Sequence, residues 1–232
     1  MRIIQDALAA PEQTVTRDAF YPTLERILIL APHTDDAELG CGATIARLVE
    51  AGREVYLAAF SRAEASLPLG SKPNRLGEEF VKATDTLGIV EERAVIYNYP
   101  VRELTYHRQE ILEELIALRC KIKPQAVLLP AATDLHQDHQ VVHLEGVRAF
   151  KDITVWGYEL PWNHVTFSAH AFVTVQLRHL QKKWDALKCY ESQFELGRSY
   201  FSWEFIAGLA RVRGTQVHEQ YAEAFEVIRV KC

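Results

Sequence analysis

Short apolar runs alternate along this chain with longer amphipathic segments. Five of the runs fit buried strands, at residues 26–31, 54–60, 93–99, 126–130 and 153–158. Four segments between them have helical periodicity, at residues 42–51, 74–87, 108–121 and 139–150. Strands that alternate in this way with longer helices predict a Rossmann-like, doubly wound α/β fold, with a mostly parallel sheet and helices on both of its faces.

The pattern changes after about residue 161. A strand is predicted at residues 171–175, helices at 178–190 and 200–212, and a last strand at 224–230. No internal repeat or Gly/Ser linker separates this part from the rest. We therefore expect a single domain over residues 1–232, with a small C-terminal α/β extension.

Composition excludes several classes of protein. The 232 residues are 48% hydrophobic, and 26 Lys+Arg against 31 Asp+Glu give a net charge of −5. The longest apolar stretches are far shorter than the ~18 residues that a membrane span needs. Asp6 and Glu12 interrupt any secretory signal, so a cytoplasmic location is expected. Without a basic cluster, no nucleic-acid partner is expected, and a small molecule is the favoured partner.

The four cysteines, at positions 41, 120, 189 and 232, form no C-x-x-C pair. This spacing argues against a zinc ribbon or a disulfide framework, and it predicts buried thiols. A homo-oligomer is left open by the sequence.

Polar residues with catalytic potential follow the first predicted strand. Ligands of open α/β sheets bind outside the carboxyl ends of the strands, and residues 31–42, "APHTDDAELGCG", leave such an end. His33 and Asp36, three residues apart in a turn, can reach one metal ion, while Asp35 stays free to act. The simpler alternative is that an aspartate caps the following helix and His33 packs beside it.

A second polar loop follows the strand at residues 126–130. The segment "PAATDLHQDHQVVH", residues 130–143, contains Asp134, His136, Asp138 and His139. His139 is the natural third ligand, because two imidazoles and one carboxylate with an open position are typical of a catalytic zinc site.

An alternative ligand set uses only histidines of the second loop. His136, His139 and His143 would share a helix face, and "HQVVH" is similar to the H-E-x-x-H zinc helix. Gln140 stands where that motif needs a glutamate base, and His143 taken alone fits a buried or capping histidine better than a ligand.

Together the two loops resemble the patterns P-H-P-D-D-E-x-x-G-x-G and H-x-D-H of the LmbE/PIG-L-like N-deacetylase family. The segment at residues 75–88, "RLGEEFVKATDTLG", is similar to a helix of the same family. Thr34 and Ala37 depart from the pattern, where the family has Pro and Glu.

The resemblance implies roles for individual residues. It implies Zn²⁺, or another divalent metal, held by His33, Asp36 and His139, with Asp35 as general base. It also implies that His136 acts as an imidazolium, which stabilises the oxyanion and protonates the leaving amine, and that Asp138 orients it.

The function that the resemblance implies is metal-dependent removal of an N-acetyl or other N-acyl group from an amino sugar or glycoconjugate. Arg75 is the expected substrate-binding residue, the alternative being a solvated arginine at the start of a helix, and residues 66–74 are expected to form a lid. Tyr158 and Trp162 follow a strand end and are expected in the core, the alternative being that an aromatic ring stacks on a sugar.

Three other functions compete with this one. The chain would instead be an amidase for a non-sugar or antibiotic-like substrate, a metal-binding but non-catalytic sugar-binding module, or a metal-free Rossmann-type transferase. Asp35 and His136 argue against the second, since metal binding needs neither.

Overall fold

The computed structural model describes residues 24–68 and 70–231. The predictions that involve Asp6, Glu12 and Cys232 lie outside these residues. The described chain forms a seven-stranded sheet in the order β3-β2-β1-β4-β5-β7-β6. The strands are β1 (Arg26–His33), β2 (Glu54–Ser61), β3 (Ala94–Ile96), β4 (Ala126–Pro130), β5 (Thr154–Tyr158), β6 (Ala171–Thr174) and β7 (Ala222–Arg229).

Seven helices accompany the sheet in the described chain. They are α1 (Asp36–Glu50), α2 (Arg75–Leu87), α3 (Arg108–Ile122), α4 (Gln137–Ala149), α5 (Leu177–Leu187), α6 (Glu191–Glu195) and α7 (Trp203–Thr215). None of these helices combines the length and the apolar composition that crossing a membrane requires.

The interior strand β1 is buried on both faces. Ile27 and Ile29 belong to one apolar cluster, while Leu28 and Leu30 belong to another on the opposite side of the sheet. Strands covered on both faces are expected to be almost continuously apolar. This explains why apolar and polar residues do not alternate in the run at residues 26–31.

The direction of winding reverses at β1. This strand pairs in parallel with β2 on one side and with β4 on the other. Such a switch point opens a crevice at the carboxyl ends of the two strands. Both polar loops leave the sheet here, one from β1 and one from β4, and the predicted α/β fold is confirmed.

The strands after residue 161 join the same sheet. Strand β7 pairs antiparallel with β5, and β6 pairs antiparallel with β7. The sheet is therefore mixed at this edge and parallel elsewhere, as expected for a mostly parallel sheet.

Some element boundaries differ from the predictions. Helix α1 begins at Asp36 rather than at residue 42, β3 is shorter than predicted, and the short helix α6 was not predicted. The glycines of α1 lower its helix propensity, but packing requires them. A Cβ at Gly40 would overlap the Tyr158 ring, and one at Gly42 would crowd Lys183.

The cysteine prediction is wrong in part. Cys41 is buried, but Cys189 is half-buried and Cys120 is exposed. Cys120 lies on the solvent side of α3, where the helical repeat turns it away from the buried Leu118 and Ile122.

The buried ion pair of Lys183 and Glu223 stabilises a kink in α1. Cys41 leaves helical geometry, with φ −146° and ψ 25°. The Glu223 carboxylate accepts hydrogen bonds from the backbone N–H groups of Ala43 at 3.2 Å and Thr44 at 2.6 Å. The Lys183 ammonium donates to the Leu39 carbonyl at 2.7 Å and to Glu223 at 2.6 Å. The pair thus satisfies backbone groups that the kink removes from the helix.

Replacing Lys183 by Met should destabilise the protein strongly, because it leaves the Glu223 carboxylate buried without its cation. Loss of one partner of a buried pair costs about 3–5 kcal/mol. Urea unfolding at neutral pH measures this loss. The exposed pair of Lys188 and Asp185 provides the control, and Lys188→Met should cost less than about 1 kcal/mol. Equal effects of the two substitutions would contradict the proposed role of the buried pair.

Candidate active site

The two polar loops meet around one carboxylate oxygen. His33 ends β1, Asp36 begins α1, and His139 lies in the first turn of α4. Oδ2 of Asp36 accepts the His33 backbone N–H at 2.8 Å. The same oxygen lies 3.0 Å from Nδ1 of His33 and 3.2 Å from Nε2 of His139. All three side chains are buried.

This donor set fits a divalent metal. The two imidazole nitrogens are 3.3 Å apart, so all three donor atoms lie within 3.3 Å of one another. Ligands at about 2.0–2.1 Å from a tetrahedral zinc ion are separated by about 3.3 Å. Two imidazoles and one carboxylate leave one position for water or substrate. The structure therefore brings together the three residues predicted as ligands.

Each histidine of the set is held from behind by another buried carboxylate. Nε2 of His33 donates to Oδ2 of Asp138 at 2.9 Å, and Nδ1 of His139 donates to Oδ2 of Asp134 at 2.7 Å. Such outer carboxylates fix the orientation of metal-binding imidazoles and raise their basicity. Asp134 is one of the four loop residues that could ionise or bind a metal, but its contact with His139 could not be predicted from the sequence.

The electrostatics of the three groups favour positive charge between them. Burial opposes the charged form of an imidazole, but Asp36 and Asp138 together outweigh it and raise the pKa of His33 to about 9. Burial also opposes the charged form of His139, but the carboxylates of Asp36 and Asp134 raise its pKa to about 10. Burial also opposes ionisation of Asp36, yet the two histidines hold its pKa well below the usual range. A metal ion would replace the protons, so its binding should release them.

Asp35 lies beside this set, and its carboxylate does not cap helix α1. It occupies the N-cap position of α1, but its side chain makes no capping hydrogen bond. Burial, followed by the charge of Asp36, raises its pKa to about 6. The capping interpretation is therefore not supported for Asp35, and the group has the properties of a base near neutral pH.

The contacts of His136 differ from the expected ones. The backbone N–H of Asp138 donates to Nδ1 of His136 at 3.1 Å, whereas the Asp138 carboxylate binds His33. Asp138 thus orients His136 through its backbone, and the accepting Nδ1 leaves the proton on Nε2. Burial, with the nearby His139 and His33, lowers the pKa of His136 to about 4. These contacts favour a neutral donor rather than the expected imidazolium.

His143 lies outside the set. Its Nδ1 donates to the Pro130 carbonyl at 2.8 Å, which is the structural role of a buried histidine. A second grouping does exist, because ligand atoms of His33, His136 and His139 lie within 4.8 Å of one another. This grouping is looser than the one around Asp36.

The loop that departs from the family pattern is held by Tyr190. The Tyr190 hydroxyl donates to the Thr34 carbonyl at 2.5 Å and lies 2.9 Å from the Glu38 carboxyl group. Burial raises the pKa of Glu38 to about 8, so this group is protonated at neutral pH and can donate to Tyr190. The resulting chain of hydrogen bonds fixes the backbone just before Asp35.

A cavity that is open to solvent lies over the site. Asp35 and His136 line it, as does Trp162, which is 37% exposed and so is not the core residue expected. Tyr158 is fully buried, as expected. Of the predicted loop at residues 66–74, Ser66 reaches the cavity wall.

Arg75 does not line the cavity among the described residues. Its guanidinium makes two hydrogen bonds of 2.7 Å to Glu195 and one of 3.1 Å to Glu79. It therefore ties α2 to α6 rather than facing substrate. The arginines that do line the cavity are Arg102 and Arg198, which lie in irregular segments that the periodicity of the sequence does not mark.

Comparison with known proteins identifies the family. The family model described as "PIG-L: GlcNAc-PI de-N-acetylase" matches residues 28–150, just over half of the chain. The chain belongs to this family. The deacetylases of the PIG-L family are metal-dependent, which agrees with the His/His/Asp site described above.

Individual relatives agree with the assignment. The chain is 28% identical over 172 residues to the "uncharacterized deacetylase YaiS" of Escherichia coli K12, covering 72% of this chain and 90% of that protein. Its fold is similar to that of N,N'-diacetylchitobiose deacetylase from Pyrococcus horikoshii, with a TM-score of 0.75, 20% identity and coverage of 91% and 86% of the two chains.

A solved structure with a different activity has the same fold. GalB of Pseudomonas putida, a 4-carboxy-2-hydroxymuconate hydratase, aligns with a TM-score of 0.72 and 19% identity over 90% of this chain and 98% of its own. The fold therefore does not fix the reaction, which has to be argued from the site.

Substitution of single histidines distinguishes the two ligand sets. His33→Ala should abolish stoichiometric binding of zinc, because it removes a donor at the centre of the set. His143→Ala should keep about one ion per chain. Metal analysis after dialysis measures both, and loss of metal from the His143 variant alone would favour the alternative set.

Asp134→Asn should weaken metal binding without removing a ligand. Loss of an outer carboxylate typically costs about 10–100-fold in metal affinity. Competition with a chromophoric chelator measures the change. Glu110→Gln, which alters an exposed carboxylate paired with His107, is the matched control and should leave the affinity unchanged. An unchanged affinity in the Asp134 variant would contradict its role.

Proposed function

We propose that this chain is a zinc-dependent N-deacetylase that removes an acetyl group from the amine of an amino sugar or its conjugate. The observation that carries the proposal is the convergence of His33, Asp36 and His139 on one point, with Asp35 free beside them. A metal-binding module would need the first three residues only. The fourth supplies a base.

A divalent ion held by this set supplies Lewis acidity, which polarises an amide carbonyl and makes water more acidic. Asp35 then takes the proton of the attacking water, for which its raised pKa suits it. The same proton passes from Asp35 to the departing amine, so that acid and base are one residue.

His136 stabilises the oxyanion in this scheme. Its Nδ1 is occupied by the backbone N–H of Asp138, so Nε2 is the nitrogen that donates a hydrogen bond. A neutral imidazole with its proton fixed on one nitrogen is a preorganised donor for developing negative charge.

Amino sugars fit the cavity for two reasons. Trp162 offers an apolar surface at the wall, and Asn163 and Gln193 offer amide groups for hydroxyls. Two similar proteins, from Pyrococcus horikoshii and Thermococcus kodakarensis, are named as diacetylchitobiose deacetylases, which supports the same class of substrate.

Asp35→Asn should lose turnover while keeping its metal, since the amide cannot accept the proton of water. General-base catalysis contributes about 10²–10⁴-fold, and release of free amine from N-acetyl amino sugars measures the loss. Retention of about one ion per chain shows that the site is intact.

Glu64→Gln provides a control for this test, because it makes the same change of carboxylate to amide in an exposed turn near the cavity. Full activity in the Asp35 variant would contradict its role as base. A wild-type protein that releases amine only from acylated non-sugar amines would instead identify an amidase.

A further inference from the structure

Two arginines on the cavity wall have no ion-pair partner among the described carboxylates. They are Arg102, in the segment after β3, and Arg198, in the segment between α6 and α7. Several other arginines of the described chain pair with acidic residues, among them Arg75, Arg108, Arg148, Arg178 and Arg213, whereas others, such as Arg62 and Arg119, donate to uncharged groups. Both guanidinium groups therefore lie where a substrate would bind.

Arg198 is fixed on an aromatic wall. Its Nη1 donates to the Tyr200 hydroxyl at 2.7 Å, and its guanidinium carbon lies 5.8 Å from the centre of the Tyr200 ring. Tyr200 in turn stacks on Trp162, with ring centres 3.8 Å apart and planes 7° apart. Since a guanidinium carries five N–H donors, most remain available to a ligand.

Arg102 is held in a strained conformation. Its φ of 69° lies in the left-handed region, which is unfavourable for a residue with a side chain. The Asp138 carboxylate accepts the backbone N–H groups of Arg102 at 2.6 Å and Leu104 at 3.2 Å. Because the same carboxylate binds His33, the position of Arg102 is coupled to the metal-ligand set.

Asp35 and Asp36 line the same cavity as the two arginines. An anionic group of a substrate is therefore favoured beside the arginines rather than beside the Asp35 carboxylate. Guanidinium groups bind carboxylates and phosphates through paired, charge-assisted hydrogen bonds.

We propose that the substrate bears a carboxylate or phosphate attached to its N-acylated sugar, and that Arg198 and Arg102 bind this group. The anion on the wall then directs the acylated amine towards Asp35. This inference rests on the proposed function and adds the charge of the substrate to it.

A set of matched sugars tests the charge preference. The probes are N-acetylglucosamine, its 1-phosphate, its 6-phosphate and N-acetylmuramic acid, which differ in the presence and kind of anion. Amine release should be fastest, in kcat/KM, for one of the charged probes, and the phosphates and the carboxylate distinguish the two kinds of anion. Release that is equal for all probes, or fastest for the neutral sugar, would overturn the inference and leave the deacetylase function standing.

Arg198→Met should remove this preference. Loss of hydrogen bonds to a charged group should lower kcat/KM for the favoured probe by about 10–100-fold, mainly through KM, and lower the value for N-acetylglucosamine by a clearly smaller factor. Arg198→Lys, which keeps the charge, should recover part of the loss. Arg178→Met removes a distant exposed arginine and should have no effect.

Two further outcomes have separate meanings. An equal loss on charged and neutral probes in the Arg198 variant would contradict anion binding and would indicate a general role in the cavity wall. Amine release from none of the sugars by the wild-type protein would contradict the proposed function itself, and the inference with it.

Discussion

One carboxylate oxygen, Oδ2 of Asp36, lies within 3.2 Å of three nitrogens from two distant parts of the chain. A buried anion in this position requires positive charge around it, which two protonated imidazoles or a metal ion can supply. The pKa values of His33 and His139 are raised because their positive charge neutralises this anion. The joining of the two loops at the switch point of the sheet depends on this contact.

The surrounding structure keeps that oxygen and its partners in place. Asp138 and Asp134 hold the two imidazoles from outside, and each also accepts backbone N–H groups of its own surroundings. Further out, the pair of Lys183 and Glu223 supports the kinked helix that carries Asp36. Polar groups buried in this way stabilise a fold only when all of them are satisfied, so the site and the stability of α1 are linked.

The sequence predicts the fold and the ligand set for a definite reason. Apolar strands and amphipathic helices have local periodicities, and a strand end places the following polar residues at the edge of the sheet. Contacts between distant segments have no such local signal. The Asp138 carboxylate binds His33, 105 residues away, rather than its neighbour His136, and Arg75 pairs with Glu195, 120 residues away. The early start of α1 also escaped prediction. Its glycines lower the helix propensity of the segment, and the side chains that require them, Tyr158 and Lys183, lie in distant parts of the chain.

The most direct test of the central contact is a crystal structure of the zinc-loaded protein, with anomalous diffraction recorded on both sides of the zinc absorption edge. The anomalous peak should lie within about 2.0–2.2 Å of Nδ1 of His33, Oδ2 of Asp36 and Nε2 of His139. Asp138 and Asp134 should still contact the outer nitrogens of the two histidines. A peak bound by His136 in place of Asp36 would contradict this organisation of the site.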